Sequence, residues 1–257
     1  MINLKKYFLF FLFFFYFGIF CNVSVFGKSA DSSRVFMEAN NLYGKGEYSQ
    51  AREKYEGIVK SSEKVPFEVF YNIGNCYFKE KKYAQSLLSF KKALRVSPRN
   101  KQAAYNLRFV RGMVQYKIDD SRKWYISLMD EYLSLFTIAE FLTVLNVILW
   151  ITLFLIFINI YFSKRWLRWF LGYCTAGFIL CLFFAGVKIV YDNKFSEAVV
   201  TVPETAVLNS PVETGTVAFR LKSGSEVFVV DKRPGWFKIV LLSGDDGWLS
   251  AADIELV

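Results

Sequence analysis

Histidine is absent from all 257 residues. Its absence removes Ser-His-Asp and Cys-His catalysis, the HExxH metalloprotease pattern and every zinc site that needs an imidazole. Cysteine is scarce. Cys21 lies near the N-terminus, Cys76 on a predicted helix, and Cys174 and Cys181 seven apart in an apolar run. Two helical turns separate that last pair, too far for a disulfide within one helix, so the cysteines read as small packing residues. No glycine-rich phosphate loop occurs, and no acidic cluster suits a metal. Ser61 and Lys64 have an SxxK spacing, but they sit in a solvated SSEK linker with no apolar pocket to activate the lysine. The sequence therefore predicts no enzyme, no cofactor and no metal centre.

Formal charge is missing from two long stretches. Phe141–Phe162 is uncharged over 22 residues and Trp169–Val187 over 19. At a rise of about 1.5 Å per residue, each helix reaches across a hydrocarbon core of about 30 Å. The knot between them carries Lys164, Arg165 and Arg168. So short a connection forces an antiparallel transmembrane hairpin, with spans at 141–162 and 169–187. Short loops rich in Lys and Arg resist translocation, so this turn is expected in the cytoplasm and both flanking parts outside it.

Residues 1–27 read as a signal peptide. Lys5 and Lys6 give a positive start, Phe8–Phe20 an apolar run too short for a comfortable span, and Val25 and Gly27 small residues around a cleavage site. Lipidation at Cys21 is the alternative, disfavoured by the bulky Phe20 before it. The net charge of +9 is unevenly placed. Lys28–Leu135 holds 20 Lys/Arg against 12 Asp/Glu, whereas Phe195–Val257 holds 5 against 9. Opposite signs on two parts in one compartment permit contact between them. Nucleic acid is not an expected partner, because the basic residues are spread along helices and interleaved with acids.

An internal repeat occupies the region after the leader. Sliding the chain by 35 residues superposes Ala39-Asn40 on Gly74-Asn75, Tyr48 on Tyr83, Gln50 on Gln85, Ala51 on Ser86, Tyr55 on Phe90 and Ile58 on Ala93. Small residues fall where two helices must approach closely, and aromatics where a gap must be filled. Gly46 and Lys81-Lys82 mark the turns. This resembles the tetratricopeptide repeat, a helical hairpin of about 34 residues. The second copy carries the signature at Phe70, Ile73, Gly74, Tyr77, Ser86, Phe90, Ala93 and Pro98; the first is looser, with Glu38 in a normally apolar place. Lys101–Gln115 begins a third copy and departs from it at Arg108, as a terminal capping helix would. The domain is expected at 32–118, followed by a juxtamembrane helix over 124–140 that either lies on the membrane surface or simply connects.

Such arrays present a groove lined by the first helix of each hairpin. Asn40 and Asn75 occupy equivalent places there, and an amide both donates to and accepts from an extended peptide backbone. The plain alternative is two solvated surface side chains. Array members that grip a C-terminal carboxylate carry basic residues one turn earlier and in the third helix. Those places here hold Phe36, Tyr105 and Phe109, so the resemblance implies an amide and aromatic groove instead.

From Ala198 to Val257, β-rich runs alternate with turn signals: AVVTV, VAFRL, EVFVV, WFKIVLL and GWLS, broken by Pro211, Lys222-Ser223-Gly224, Pro234-Gly235 and Ser243–Gly247. Five short strands in so few residues predict a small closed barrel. An apolar strand before Pro211, then LKSGSEVFVV, then GWFKI, then DGWLSAADI together resemble bacterial SH3-like domains. Trp236 and Trp248 match that family's two tryptophans, as a peptide-binding shelf or as part of the core. Leu208 stands where the family usually has Arg.

The fold class expected is thus a multi-domain membrane protein: all-α tetratricopeptide hairpins, a transmembrane α-hairpin and a small all-β SH3-like barrel at 198–257. In this order the parts resemble the BatE-type proteins of bacterial aerotolerance operons. That resemblance implies an inner-membrane adaptor with its modules in the periplasm, and as partners von Willebrand A-domain membrane proteins and a MoxR-type ATPase. The alternative is a wall-binding protein whose SH3-like domain holds the stem peptide of peptidoglycan.

Overall fold

Turns repeat as faithfully as helices in the N-terminal part. The computed structural model describes residues 30–114, 135–162, 165–194 and 196–257. Its first five helices are α1 (Ala30–Gly44), α2 (Tyr48–Ser61), α3 (Phe67–Lys79), α4 (Tyr83–Val96) and α5 (Lys101–Arg111). After α1, Gly46 N donates to Tyr43 O and Glu47 N to Leu42 O, both at 3.0 Å. After α3, Lys81 N donates to Phe78 O at 3.0 Å and Lys82 N to Tyr77 O at 2.9 Å, the same bonds 35 residues on. Gly46 has φ 83° and Lys81 φ 60°. The second turn therefore holds a side chain in the left-handed region, where the first has glycine. Residues 62–66 link α2 to α3, and 97–100 link α4 to α5, so the extra residue between the copies lies in the first linker. Asn100 caps α5, its Oδ1 accepting from Ala103 N at 3.0 Å.

Helices approach closely where the repeat places small residues. Ala39, Ala51, Ser86 and Ala93 are fully buried. A Cβ on Gly74 would lie 2.8 Å from Phe90 Cε1, so only glycine lets that ring seat itself against α3. Ser86 Oγ donates to Gly74 O at 2.8 Å, which satisfies the buried hydroxyl and ties α4 to α3. Cys76 is fully buried beside Tyr55, Ile58 and Val69. Burial pushes its thiol up to about 12, so it packs as an inert group. Between α2 and α3, Arg52 lies 4.9 Å over the Tyr77 ring and donates to Glu80 Oε1 at 3.1 Å and Glu56 Oε1 at 3.0 Å.

Two apolar helices form the hairpin. Thr137 and Glu140 start it with a capping box: Glu140 N donates to Thr137 Oγ1 at 3.2 Å, and Thr137 N to Glu140 Oε2 at 2.9 Å. Helix α6 spans Ile138–Phe162 and α7 spans Arg165–Lys194. Segments Ile138–Asn159 and Arg165–Val190 within them are long and apolar enough to cross a membrane. Trp166, Trp169, Tyr173, Ile179 and Phe183 all stand exposed, which a core helix of a soluble protein would avoid. Helix α7 continues past the expected Val187, because Lys188 ends an apolar run without breaking a helix.

The C-terminal part is one antiparallel sheet of seven strands: β1 (Ser196–Val200), β2 (Glu204–Leu208), β3 (Val217–Lys222), β4 (Glu226–Arg233), β5 (Trp236–Val240), β6 (Asp246–Ser250) and β7 (Ile254–Leu256). Their order is β3-β2-β6-β5-β4-β1-β7. Leu221 on one edge strand and Ile254 on the other share a single core with Val200, Val207, Ile239 and Leu249, so the sheet curls into a barrel-like fold. The gap between its ends is bridged at the turn after β3, where Gly224 N donates to Val200 O at 2.8 Å. The five strands expected become seven. β2 lies outside the five runs and corresponds to the apolar strand before Pro211 of the SH3-like pattern, whereas β7 is too short to show alternation.

Sheet and helices meet within one compact unit comprising Lys28–Leu135 and Asp192–Val257. Val199 of β1 is fully buried in a cluster with Leu87, Leu88, Leu107 and Val110. Beside it, Lys91 Nζ lies 2.6 Å from Glu197 Oε2 and 2.5 Å from Glu226 Oε2. Arg111 grips Glu226 with both arms, at 2.7 and 2.8 Å. Lys92 pairs with Glu255 at 2.6 Å, and Arg95 donates to Val257 O at 2.6 Å. The contact permitted by opposite charges is therefore made. Burial opposes the charge of Glu226, but the Arg111 hydrogen bond and the Lys91 charge hold its carboxyl down at about 2.

Two outcomes follow from these features. Lys81→Gly removes a side chain from the left-handed region and is expected to stabilise the helical part by about 0.5–1 kcal/mol in urea titration. Glu226, depressed in the folded chain, contributes stability above the ordinary carboxylate value of 4.5 that is lost as pH falls toward about 2. Acid titration followed by circular dichroism should show that loss, roughly 3 kcal/mol at most, and Glu226→Gln should flatten it.

Candidate peptide-binding site

Asparagine side chains form two rungs across the face shared by α1, α3 and α5. In the first, Asn40 Oδ1 accepts from Tyr55 OH at 2.5 Å and from Asn72 Nδ2 at 3.3 Å, and Asn72 Nδ2 also donates to Tyr55 OH at 3.1 Å. In the second, Asn106 Nδ2 donates to Asn75 Oδ1 at 3.3 Å and to Tyr71 OH at 3.1 Å. Asn40 and Asn75 are 35 apart, and Asn72 and Asn106 are 34 apart, because the linker before α5 is one residue shorter. Each rung thus pairs one helix of the face with the next.

Each rung also takes one hydroxyl from an aromatic pair, and the pairs are arranged oppositely. Phe36 on α1 meets Tyr55 on α2 edge-on, with ring centroids 5.6 Å apart. Tyr71 on α3 meets Phe90 on α4 at 5.7 Å. The hydroxyl comes from the second helix in the first hairpin and from the first helix in the second. Burial pushes the Tyr55 phenol up to about 12, so it stays a neutral donor. The amide nitrogens of Asn40 and Asn75 donate to nothing among the described residues, which leaves them for a backbone carbonyl.

Helix α5 supplies the apolar border. Tyr105 is 65% exposed, and Phe109 stands half out with its ring 5.8 Å from that of Phe78. Met113, one further turn on, is exposed beside them. Phe36 contributes less to the face than its position promises, since its ring packs into the core of the first hairpin. Glu38 stands outward and pairs with Lys54 at 2.8 Å, so the apolar place it vacates costs no buried charge.

Of the expected groove residues, Asn40 and Asn75 each join a rung, while Tyr105 and Phe109 stand exposed on α5. Sequence reasoning missed Asn72 and Asn106, since a single slide of 35 puts them one residue out of register. On the sheet, Trp236 is half-buried, whereas Trp248 is 7% exposed with the Arg233 guanidinium 4.6 Å over its ring. These two tryptophans do not make an open shelf: the stacked arginine covers one of them. Arg165 and Arg168 are exposed at the start of α7, and Lys164 lies outside the described residues, as do the leader and most of 124–140. Among the described residues no three acidic or thiol side chains converge to hold a metal ion.

Tyr55→Phe and Tyr71→Phe each remove one rung's hydroxyl. Each is expected to cost about 1 kcal/mol in denaturant titration, and the double change should be near the sum, because the rungs share no residue.

Residues 67–100, which cover α3, α4 and the linker to Asn100, match the family model of the tetratricopeptide repeat. No curated protein matches the chain. A tetratricopeptide hairpin is a protein-interaction scaffold, and here it stands beside a second hairpin and a fifth helix, with two apolar helices and an antiparallel sheet following in the chain.

Proposed function

We propose that this protein is a non-enzymatic membrane adaptor whose helical array holds extended peptide segments of envelope proteins. The observation that carries the reading is the pair of asparagine rungs. Their unused donors and acceptors lie along one face at the spacing of a repeat, beside the uncharged Tyr105 and Phe109. Such a face grips backbone amides and apolar side chains rather than a terminal carboxylate or a phosphate.

The apolar helices anchor the array in the bacterial inner membrane, with Arg165 and Arg168 in the cytoplasm and both modules in the periplasm. Contact between the helical array and the sheet supports a shared side for the two modules, because parts that flank two spans can pair only on one side of a bilayer. By its resemblance to BatE-type proteins, the adaptor works with von Willebrand A-domain membrane proteins and a MoxR-type ATPase complex. A wall-binding role through the sheet draws less support, since Arg233 covers Trp248.

Crosslinking in native membranes tests the groove. Asn40→Ala with Asn75→Ala should lower recovery of the captured envelope proteins by about tenfold, as expected when roughly 1.4 kcal/mol of peptide contacts is lost. Unchanged recovery from a folded variant would remove the groove from the account.

A further inference from the structure

Among the described residues, the last helix of the array lacks the two-sided helical cover that α2, α3 and α4 have. Helix α3 lies between α2 and α4, whereas α5 packs on α4 and reaches α3 through Asn106 and Phe109, with no further helix against it among the described residues. Its Leu107 and Val110 are nevertheless buried, and the residue from outside the array that joins their cluster is Val199 of β1, with Val257 at the margin. The turn at Gly224 comes up against Val114, just beyond α5, so closely that a Cβ there would collide with it. Polar contacts surround this apolar one. Lys91 on α4 has a side chain 9% exposed, and two carboxylates of the sheet neutralise it; Arg111, the final residue of α5, holds one of them in a bidentate grip.

We infer that the sheet is the closing element of the helical array and that Lys91, Glu197, Glu226 and Arg111 are positioning residues that fix α5, and with it Asn106, Tyr105 and Phe109. Glu226 is the pivot, because it joins α4, through Lys91, to the last described helix of the array, α5, through Arg111. With the sheet away, Leu107 and Val110 lose Val199 from their cluster and Arg111 loses its carboxylate, so the second rung is held less firmly. The hydrogen bonds of the first rung run among Asn40 on α1, Tyr55 on α2 and Asn72 on α3. Where the groove holds a peptide, as proposed above, linkage makes occupancy and sheet docking strengthen each other. The positioning of α5 stands or falls without any ligand.

Hydrogen exchange on the full chain in lipid nanodiscs, read by mass spectrometry, tests this. Lys91→Met keeps the aliphatic stem and removes the charge. It should speed exchange of the amides in 101–111 by about tenfold while those in 36–58 keep their rates, as local opening of one end predicts. Lys91→Arg should restore the slow pattern. Unchanged exchange in 101–111 would overturn the inference, and so would equal acceleration from α1 through α5, which would mark Lys91 as a general stabiliser. Should Lys91→Met fail to fold, Glu197→Gln, which removes the more exposed partner, is read against the same two outcomes.

Discussion

Close approach between helices is the constraint on which the array depends. Each hairpin seats an aromatic ring from its second helix against a small residue on its first: Tyr55 with Ala39, Phe90 with Gly74. The ring cannot seat if the small residue grows, and if it does not seat the hairpins cannot stack. The asparagines of one hairpin would then never come within hydrogen-bond reach of those on the next. The rungs are a consequence of that stacking, since Asn40 and Asn72 belong to different hairpins and meet only when the cores have closed. Burial of Tyr55 and Phe90 supplies the driving force, and the hydrogen bonds choose among arrangements of similar burial.

Charge plays a different part at the other end of the array. A lysine largely out of water is costly unless it is paired, and here its partners come from a part of the chain more than a hundred residues away. The cluster therefore rewards one placement of the sheet over others. The surplus of basic residues in the helical part and of acidic ones in the sheet becomes concrete at Lys91, Lys92 and Arg111.

Much of this was legible in the sequence. A repeat leaves a signature that survives substitution, so the turns at Gly46 and Lys81, the buried Ala51 and Ser86, and the places of Asn40 and Asn75 all followed from one offset. The departures also have physical causes. Asn72 and Asn106 escaped because one inserted residue breaks the offset between hairpins. Strand β7 escaped because three residues cannot display alternation. The cover over Trp248 could not be foreseen, since a cation stacked on a ring leaves no pattern along the chain. Nor could the grip of Arg111 on Glu226, which joins residues 115 positions apart.

The exchanged places of tyrosine and phenylalanine give the face a direction. The first rung draws its hydroxyl from behind, through Tyr55, and the second from alongside, through Tyr71. Turning the face end for end does not reproduce it. If the array holds a peptide as proposed, a chain laid across both rungs meets a different sequence of partners when its polarity is reversed, so head and tail are told apart before any side chain is read.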